Sequence, residues 1–287
     1  MRRILLYIFL INCIILNAQS LDNLQFSTGS DGPSPYINFK NNTVSLLYPR
    51  KITISGKDYW DVIDIENKKY SYSTVNGIYR ITVYSDPIIE LYLLFNDEFG
   101  YFSVISPHEC DSGILLRITD EIIPRLPRGG GEAWLYEILF NNFTIKTSSF
   151  LMEDKIEYIG SNLNYLFSTK PWVEGKSDAG IGEYLELDYS ENYFKETDTI
   201  VISNGFFSPN NPDLYFQNNR IKRIRIEDMG GDYKQEFNVL DTPNLQTFKL
   251  NGFYTRIRII ILDVYYGYKY NDTCINYLVG IKYLLSP

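Results

Sequence analysis

The chain has 287 residues, enough for one large or two ordinary domains, and its 45% apolar content is that of a globular protein. A formal charge of −8 sets the chain against nucleic acid and anionic membranes unless a strong local basic patch exists. Aromatic residues make up 16% of the chain, 25 of them tyrosines, which suits half-buried strands and exposed recognition faces alike.

The first segment reads as a targeting signal. Arg2 and Arg3 form a basic start, Ile4 to Leu16 an apolar run, and Leu16-Asn17-Ala18 a small-residue cleavage site. The run is short for a spanning helix and polar residues follow at once, so the expectation is a cleaved signal over residues 1–18 and no transmembrane segment in the mature chain. Cleavage would take the formal charge to −10, because it removes two arginines and no acid. Leu10-Ile11-Asn12-Cys13 loosely resembles a bacterial lipobox, but the apolar stretch after Cys13 argues against lipidation.

Residues 19–42 are polar and rich in turn formers (Gly29, Gly32, Pro33, Pro35) and predict a lead-in loop. From Val44 to Ile105 the chain is a series of short β-like runs, such as Ile78 to Tyr84 and Glu90 to Phe95. Asn76-Gly77 sits where a two-residue hairpin turn belongs. Pro124, Pro127 and Gly129-Gly130-Gly131 predict a loop or joint over 120–131, and the apolar run Ala133 to Phe140 follows it. The second half is again β. Leu185, Leu187 and Tyr189 alternate with Glu186 and Asp188, and Tyr233, Phe237 and Val239 share a face. Thr255 to Leu262 is continuously apolar enough to predict a central strand covered on both faces. Strands of this kind separated by turn signals argue a sandwich or jelly roll.

Several stretches of this half then form an ordered set. They are Pro171-Trp172-Val173-Glu174-Gly175, Gly180-Ile181-Gly182-Glu183, Ile202 to Phe206, Asn218 to Arg223, Asp241-Thr242-Pro243 and Ile261 to Thr273. In order and spacing, over roughly residues 145–285, the sequence resembles the discoidin-like, galactose-binding-fold modules called NADase-type glycan-binding domains. The resemblance implies a jelly roll that holds carbohydrate or another surface ligand; it does not imply NAD hydrolysis, which belongs to a separate catalytic domain in that family. The chain departs from the pattern at Cys274-Ile275-Asn276-Tyr277, where the family tends to an acidic residue after a small one. An acid-dependent ion or ligand site at that position is therefore not carried over. Residues 19–143 resemble nothing nameable.

A sugar site needs an aromatic platform and a few fixed polar groups, usually on loops at one end of a sandwich. The segment 263–272 offers Asp263, Tyr265, Tyr266, Tyr268, Lys269, Tyr270 and Asp272 in a glycine-containing loop, and the segment 209–220 offers Tyr215, Phe216, Asn218, Asn219 and Arg220. Trp172 and Glu174 form a further aromatic and carboxylate pair, although core packing for Trp172 and loop bonding for Glu174 is the favoured reading. Gly180-Ile181-Gly182 is no phosphate loop, because it leads into a strand rather than a helix. Arg220, Lys222, Arg223 and Arg225, with Arg256 and Arg258, are the only basic cluster; neighbouring acids make them a solvated sheet face, and no nucleic-acid partner is expected.

No catalytic constellation emerges. His108 is the only histidine, and its proximity in sequence to Ser106 and Cys110 carries little, since triads assemble in space. Glu132 and Glu137 are not separable from solubilising charge as glycosidase acids. Cys110 and Cys274 lie in different expected domains, so no bridge is expected. No cofactor is expected, although folds of this class often carry a structural calcium on loop oxygens; EF-hand spacing is absent. The expected architecture is all-β: a separate β-rich domain over 19–143 and a discoidin-like jelly-roll sandwich over 144–287. The expected function is that of an exported or envelope-associated binding protein whose partner is a glycan or cell-surface carbohydrate, and not an enzyme. Two alternatives are an exported hydrolase acting on carbohydrate or nucleotide from the N-terminal domain, and a structural envelope protein whose jelly roll binds protein.

Overall fold

A computed structural model describes residues 21, 25–27, 36–54, 57–86, 88–96, 100–105, 114–117, 143–164, 170–191, 196–208 and 211–281. The export segment, Cys13, the joint at 120–131, Ser106, His108, Cys110, Glu132 and Glu137 lie outside the described residues. Among the described residues no helix is long and apolar enough to cross a membrane.

The first half is a closed antiparallel barrel. Its strands run in chain order: β1 (Gln25–Ser27), β2 (Tyr36–Lys40), β3 (Thr43–Ile54), β4 (Lys57–Val75), β5 (Ile78–Val83), β6 (Ile89–Asn96), β7 (Gly100–Ile105) and β8 (Ile114–Arg117). The alternation read in the sequence sets the inside. Ile37 and Phe39, Val44 and Leu46, Tyr79, Ile81 and Val83, and Ile89, Leu91 and Leu93 are buried together, filling the lumen as eight-stranded barrels allow. The positive φ of Asn41 and Asn42, and of Asn76 and Gly77, gives the two tight hairpin turns the handedness that matches strand twist. Asn67, also at positive φ, sits in a bulge of β4 opposite Ser45, where the register with β3 shifts. That bulge lets a 19-residue strand bend round the wall.

Residues 19–42 therefore differ from the expected lead-in loop, since β1 and β2 are barrel strands. Their signal was short, only Ile37 and Phe39 alternating with polar neighbours. What makes β1 a strand is its pairing with β8, roughly ninety residues along the chain, which closes the barrel and removes its edges.

The second half contains β9 (Thr144–Thr147), a small hairpin of β10 (Met152–Glu153) and β11 (Ile156–Glu157), a 3-10 turn at Gly160–Asn164, and β12 (Trp172–Val173). There follow β13 (Tyr184–Asp188), β14 (Thr197–Asn204), the single-turn helix α1 (Leu214–Gln217), β15 (Asn219–Asp228), β16 (Lys234–Asn238), β17 (Leu245–Tyr254), β18 (Arg256–Tyr265) and β19 (Thr273–Ile281). The sheet order is β17-β14-β19-β15-β18-β13-β9. β15 and β19 touch in parallel only at Asn219–Thr273 and Arg220–Cys274, then part, and at that corner the sheet folds over on itself. Ile200, Ile202, Phe248, Ile275 and Leu278 from one layer meet Leu185, Leu187, Ile224, Ile226, Ile257, Ile259 and Ile261 from the other in one apolar core. This is the jelly-roll sandwich, with Trp172 wholly buried in it.

β18 corrects one expectation. It is central in the sheet, between β15 and β13, but only its Ile257, Ile259 and Ile261 face is fully buried. The other face carries Arg258, which pairs with Glu186 at 2.5 Å and lies 4.5 Å over the Tyr184 ring. Beside it, Arg223 pairs with Glu236, Arg225 with Glu227, Lys222 with Asp263 and Arg256 with Asp188, so the basic cluster is neutralised within the sheet face.

Two core truncations should behave alike. Ile81→Ala in the barrel and Ile259→Ala in the sandwich should each cost about 2–4 kcal/mol in denaturant unfolding, while Arg223→Ala, on an exposed ion pair, should stay within about 0.5 kcal/mol.

Candidate functional site

The loop between β18 and β19 carries three tyrosines around one glycine, directly after Tyr265 at the end of β18. Its rings point outward: Tyr266 is 67% exposed, Tyr268 68% and Tyr270 38%. Next to it, on α1, Phe216 is 43% exposed. Lys269 lies 4.6 Å over the Tyr270 ring. These side chains form an aromatic surface with one cation in it, and the backbone beneath them is fixed from several directions.

The fixing residues come from the start of β15. Asn219 is buried; its Oδ1 accepts from Gly267 N at 2.7 Å and its Nδ2 donates to Asn271 O at 2.7 Å, so one amide holds both ends of the loop. The open carbonyls at the end of α1 take the middle: Phe216 O accepts from Tyr268 N at 3.1 Å, and Gln217 O accepts from Lys269 N and Tyr270 N at 3.2 and 2.8 Å. Gly267 must be glycine for contact rather than for torsion, because a Cβ there would stand 2.3 Å from Gln217 O and 2.5 Å from Asn218 C.

Arg220, a predicted ligand residue, is 5% exposed and spends its donors inside the protein. Nε and Nη2 meet the two oxygens of Asp241 at 3.0 and 2.8 Å, and Nη1 donates to Asn218 O and Tyr266 O at 3.0 and 3.2 Å. Tyr215 is fully buried, with its hydroxyl 3.1 Å from Asp241 Oδ1 and its ring 5.5 Å from the guanidinium; burial pushes its phenol well above the usual tyrosine range. Asn218 caps α1 through Leu214 O. These three lie beneath the aromatic surface and hold it. Among the other predicted residues, Tyr265 donates to Val239 O at 3.1 Å. Asp263 is engaged by Lys222, whose ammonium at 2.8 Å holds the carboxyl below its ordinary range.

Trp172 and Glu174 lie against the start of β19, where Trp172 pairs with Ile275 and Glu174 N donates to Thr273 O at 3.1 Å. Trp172 Nε1 donates to Ser149 O, and the ring belongs to the core. Glu174 is fully buried; Oε2 accepts from Lys176 N at 2.6 Å, while Oε1 has no partner among the described residues. Desolvation pushes its pKa up to about 7, helped by Asp272 and Asp178 and opposed by the amides of Lys176 and Thr273. Gly180, at positive φ, leaves room for that side chain, since a Cβ would lie 2.7 Å from Glu174 Cγ. The glycine turn leads into β13, not a helix. Among the described residues no three His, Cys, Asp or Glu side chains group closely enough to hold a metal ion. Among these residues Glu174 Oε1 is an unpartnered buried carboxylate oxygen, the kind of group a hard cation takes. At the departure from the family pattern, Tyr277 is buried and Asn276 buries both amide atoms without partners among the described residues. Cys274 is a free, buried thiol.

Sequence reasoning offered Phe216, Asn219, Tyr266 and Tyr268 along with the other loop residues, and gave no role to Asp241 or Gly267. A glycine set among four tyrosines was the available signal for close backbone approach.

Two predictions follow from this geometry. Gly267→Ala should dislodge the tyrosine loop from α1 and destabilise the protein by on the order of 2 kcal/mol, read by thermal unfolding. Glu174 binds its proton more tightly folded than unfolded, so its contribution is fully present below about pH 4.5 and is lost as pH rises to about 7. Wild-type stability should therefore fall over that window by on the order of 2 kcal/mol more than that of Glu174→Gln, and a bound calcium would show as loss of the difference.

Residues 136–279 match the family described as NAD glycohydrolase translocation F5/8 type C domain. A comparison with curated proteins gives no match. Among solved structures, the family 32 carbohydrate-binding module of C. perfringens NanJ, solved in complex with galactose, is 15% identical with a TM-score of 0.34, covering 48% of this chain and 92% of that one. A module, CBM32-1, from a family 31 glycoside hydrolase of Clostridium perfringens is 11% identical with a TM-score of 0.35, covering 52% and 99%. Likenesses this distant place no function. The family match spans half the chain and takes in the sandwich, the tyrosine loop and the clamp beneath it, and by it the chain belongs to the NAD glycohydrolase translocation F5/8 type C domain family.

Proposed function

We propose that this protein is an exported binding protein, not an enzyme, whose C-terminal jelly roll holds a glycan on the surface made by Phe216, Tyr266, Tyr268, Lys269 and Tyr270. The observation that carries the reading is the exposure of Tyr266 and Tyr268 on a backbone tied down at both ends and in the middle. Exposed rings on a mobile loop would lose entropy on binding; rings on a fixed loop have met that cost during folding. Aromatic faces pack against the C–H faces of pyranose rings, and the phenol hydroxyls and the Lys269 ammonium bond the sugar hydroxyls. The apolar start of the chain and the family support the exported setting.

Full-length protein on a glycan array, with galactose as the first single-sugar probe in solution, tests this. Wild type should bind saturably, and Tyr268→Ala and Tyr266→Ala should each weaken binding roughly tenfold, as loss of a stacking ring does. Arg223→Ala on the sheet face should leave it unchanged. A blank array from folded wild-type protein, or full affinity in the double Tyr266→Ala/Tyr268→Ala variant, would remove the assignment.

A further inference from the structure

The barrel is docked against the segments that hold the tyrosine loop. Ile78 and Tyr92 alternate with lumen residues, so they stand on the outer wall of β5 and β6, yet Ile78 is 0% and Tyr92 1% exposed. Phe207 is likewise 0% exposed without being part of the sandwich core, and its ring meets Tyr92 edge to face at 6.5 Å and 74°. Tyr92 is itself set in place, because its hydroxyl donates to Glu90 Oε2 at 2.7 Å and Glu90 is paired with Arg80. Above this contact the Asn76-Gly77 turn reaches two loops of the sandwich. Asn76 Nδ2 donates to Pro212 O at 2.9 Å, and Asn244 Nδ2 donates to Gly77 O at 3.3 Å.

Both gripped positions bear on the clamp. Pro212 O also receives Tyr215 N at 3.2 Å, so the turn holds the first residues of α1, whose last carbonyls carry the tyrosine loop. Asn244 follows Asp241 by three residues, and Asp241 joins Arg220 to Tyr215. Behind them, Gly205 at positive φ lets Arg220 and Tyr215 approach to where its Cβ would be, at 2.6 and 2.7 Å. Hydrogen bonds joined through the backbone of α1 therefore connect the barrel turn, by way of Pro212, to Tyr268, Lys269 and Tyr270.

We infer that the barrel is a positioning element of the binding face: its Asn76-Gly77 turn holds α1 and the Asp241 segment, with Tyr92 seated against Phe207 between β14 and α1, and so fixes the tyrosine loop. The claim about binding rests on the glycan reading above; the claim about the loop does not. Asn76→Gly keeps a residue at home at positive φ and deletes only the donor to Pro212, and Tyr92→Leu removes the ring from Phe207. In full-length protein, amide hydrogen exchange at Tyr268, Lys269 and Tyr270 should quicken about tenfold in each variant, with Ile259 and Ile261 on β18 keeping wild-type protection. Galactose or the best array glycan should bind several-fold more weakly to both. Unchanged loop exchange in Asn76→Gly and Tyr92→Leu would overturn the inference, and so would faster loop exchange with undiminished affinity. If wild type binds no glycan, the glycan reading fails and the exchange result alone decides the coupling.

Discussion

A guanidinium buried at the corner of a folded sheet is costly unless each of its nitrogens is engaged, and Arg220 meets that demand with both oxygens of Asp241 and two carbonyls. The consequence is positional. Arg220 lies at the corner where β15 and β19 part, Asp241 on the loop before β17, Asn218 at the end of α1 and Tyr266 in the tyrosine loop, so one side chain brings four segments into register. Removing Asp241 would leave the buried guanidinium without its counter-charge, at a cost of about 3–5 kcal/mol. Tyr215 above the guanidinium and Asn219 beside it extend the same arrangement.

Charge elsewhere is handled by neutralisation in place. The chain is strongly acidic, and its one cluster of cations is matched across the strands by Asp188, Glu186, Glu227, Glu236 and Asp263. Exposed pairs of this kind contribute little to stability, but they leave the sheet face without a free basic stripe. Glu174 is the opposite case, a carboxyl buried with one oxygen unmet, and its protonation near neutrality follows from that burial.

The barrel and the sandwich solve the edge problem differently. The barrel closes β1 on β8, while the sandwich folds its sheet over at a corner and fills the gap with isoleucines. The outer wall of the barrel is then available for a second contact, and Tyr92 is buried there against Phe207 rather than in the lumen.

The sequence by itself determined that the protein is all-β and where its strands alternate: Leu185, Leu187 and Tyr189 inside, Glu186 and Asp188 outside, and a tight turn at Asn76-Gly77, because period-two patterning and turn chemistry are local. The family resemblance also lay in local, ordered motifs. Only the tertiary structure decided that β1 and β2 are barrel strands, since their partners are remote in sequence. It alone decided that Tyr215 and Arg220 lie under the aromatic surface while Tyr266 and Tyr268 form it. Neighbouring residues of the same type were divided between burial and exposure by a corner in the sheet and a glycine contact, and neither has a period that a sequence can display.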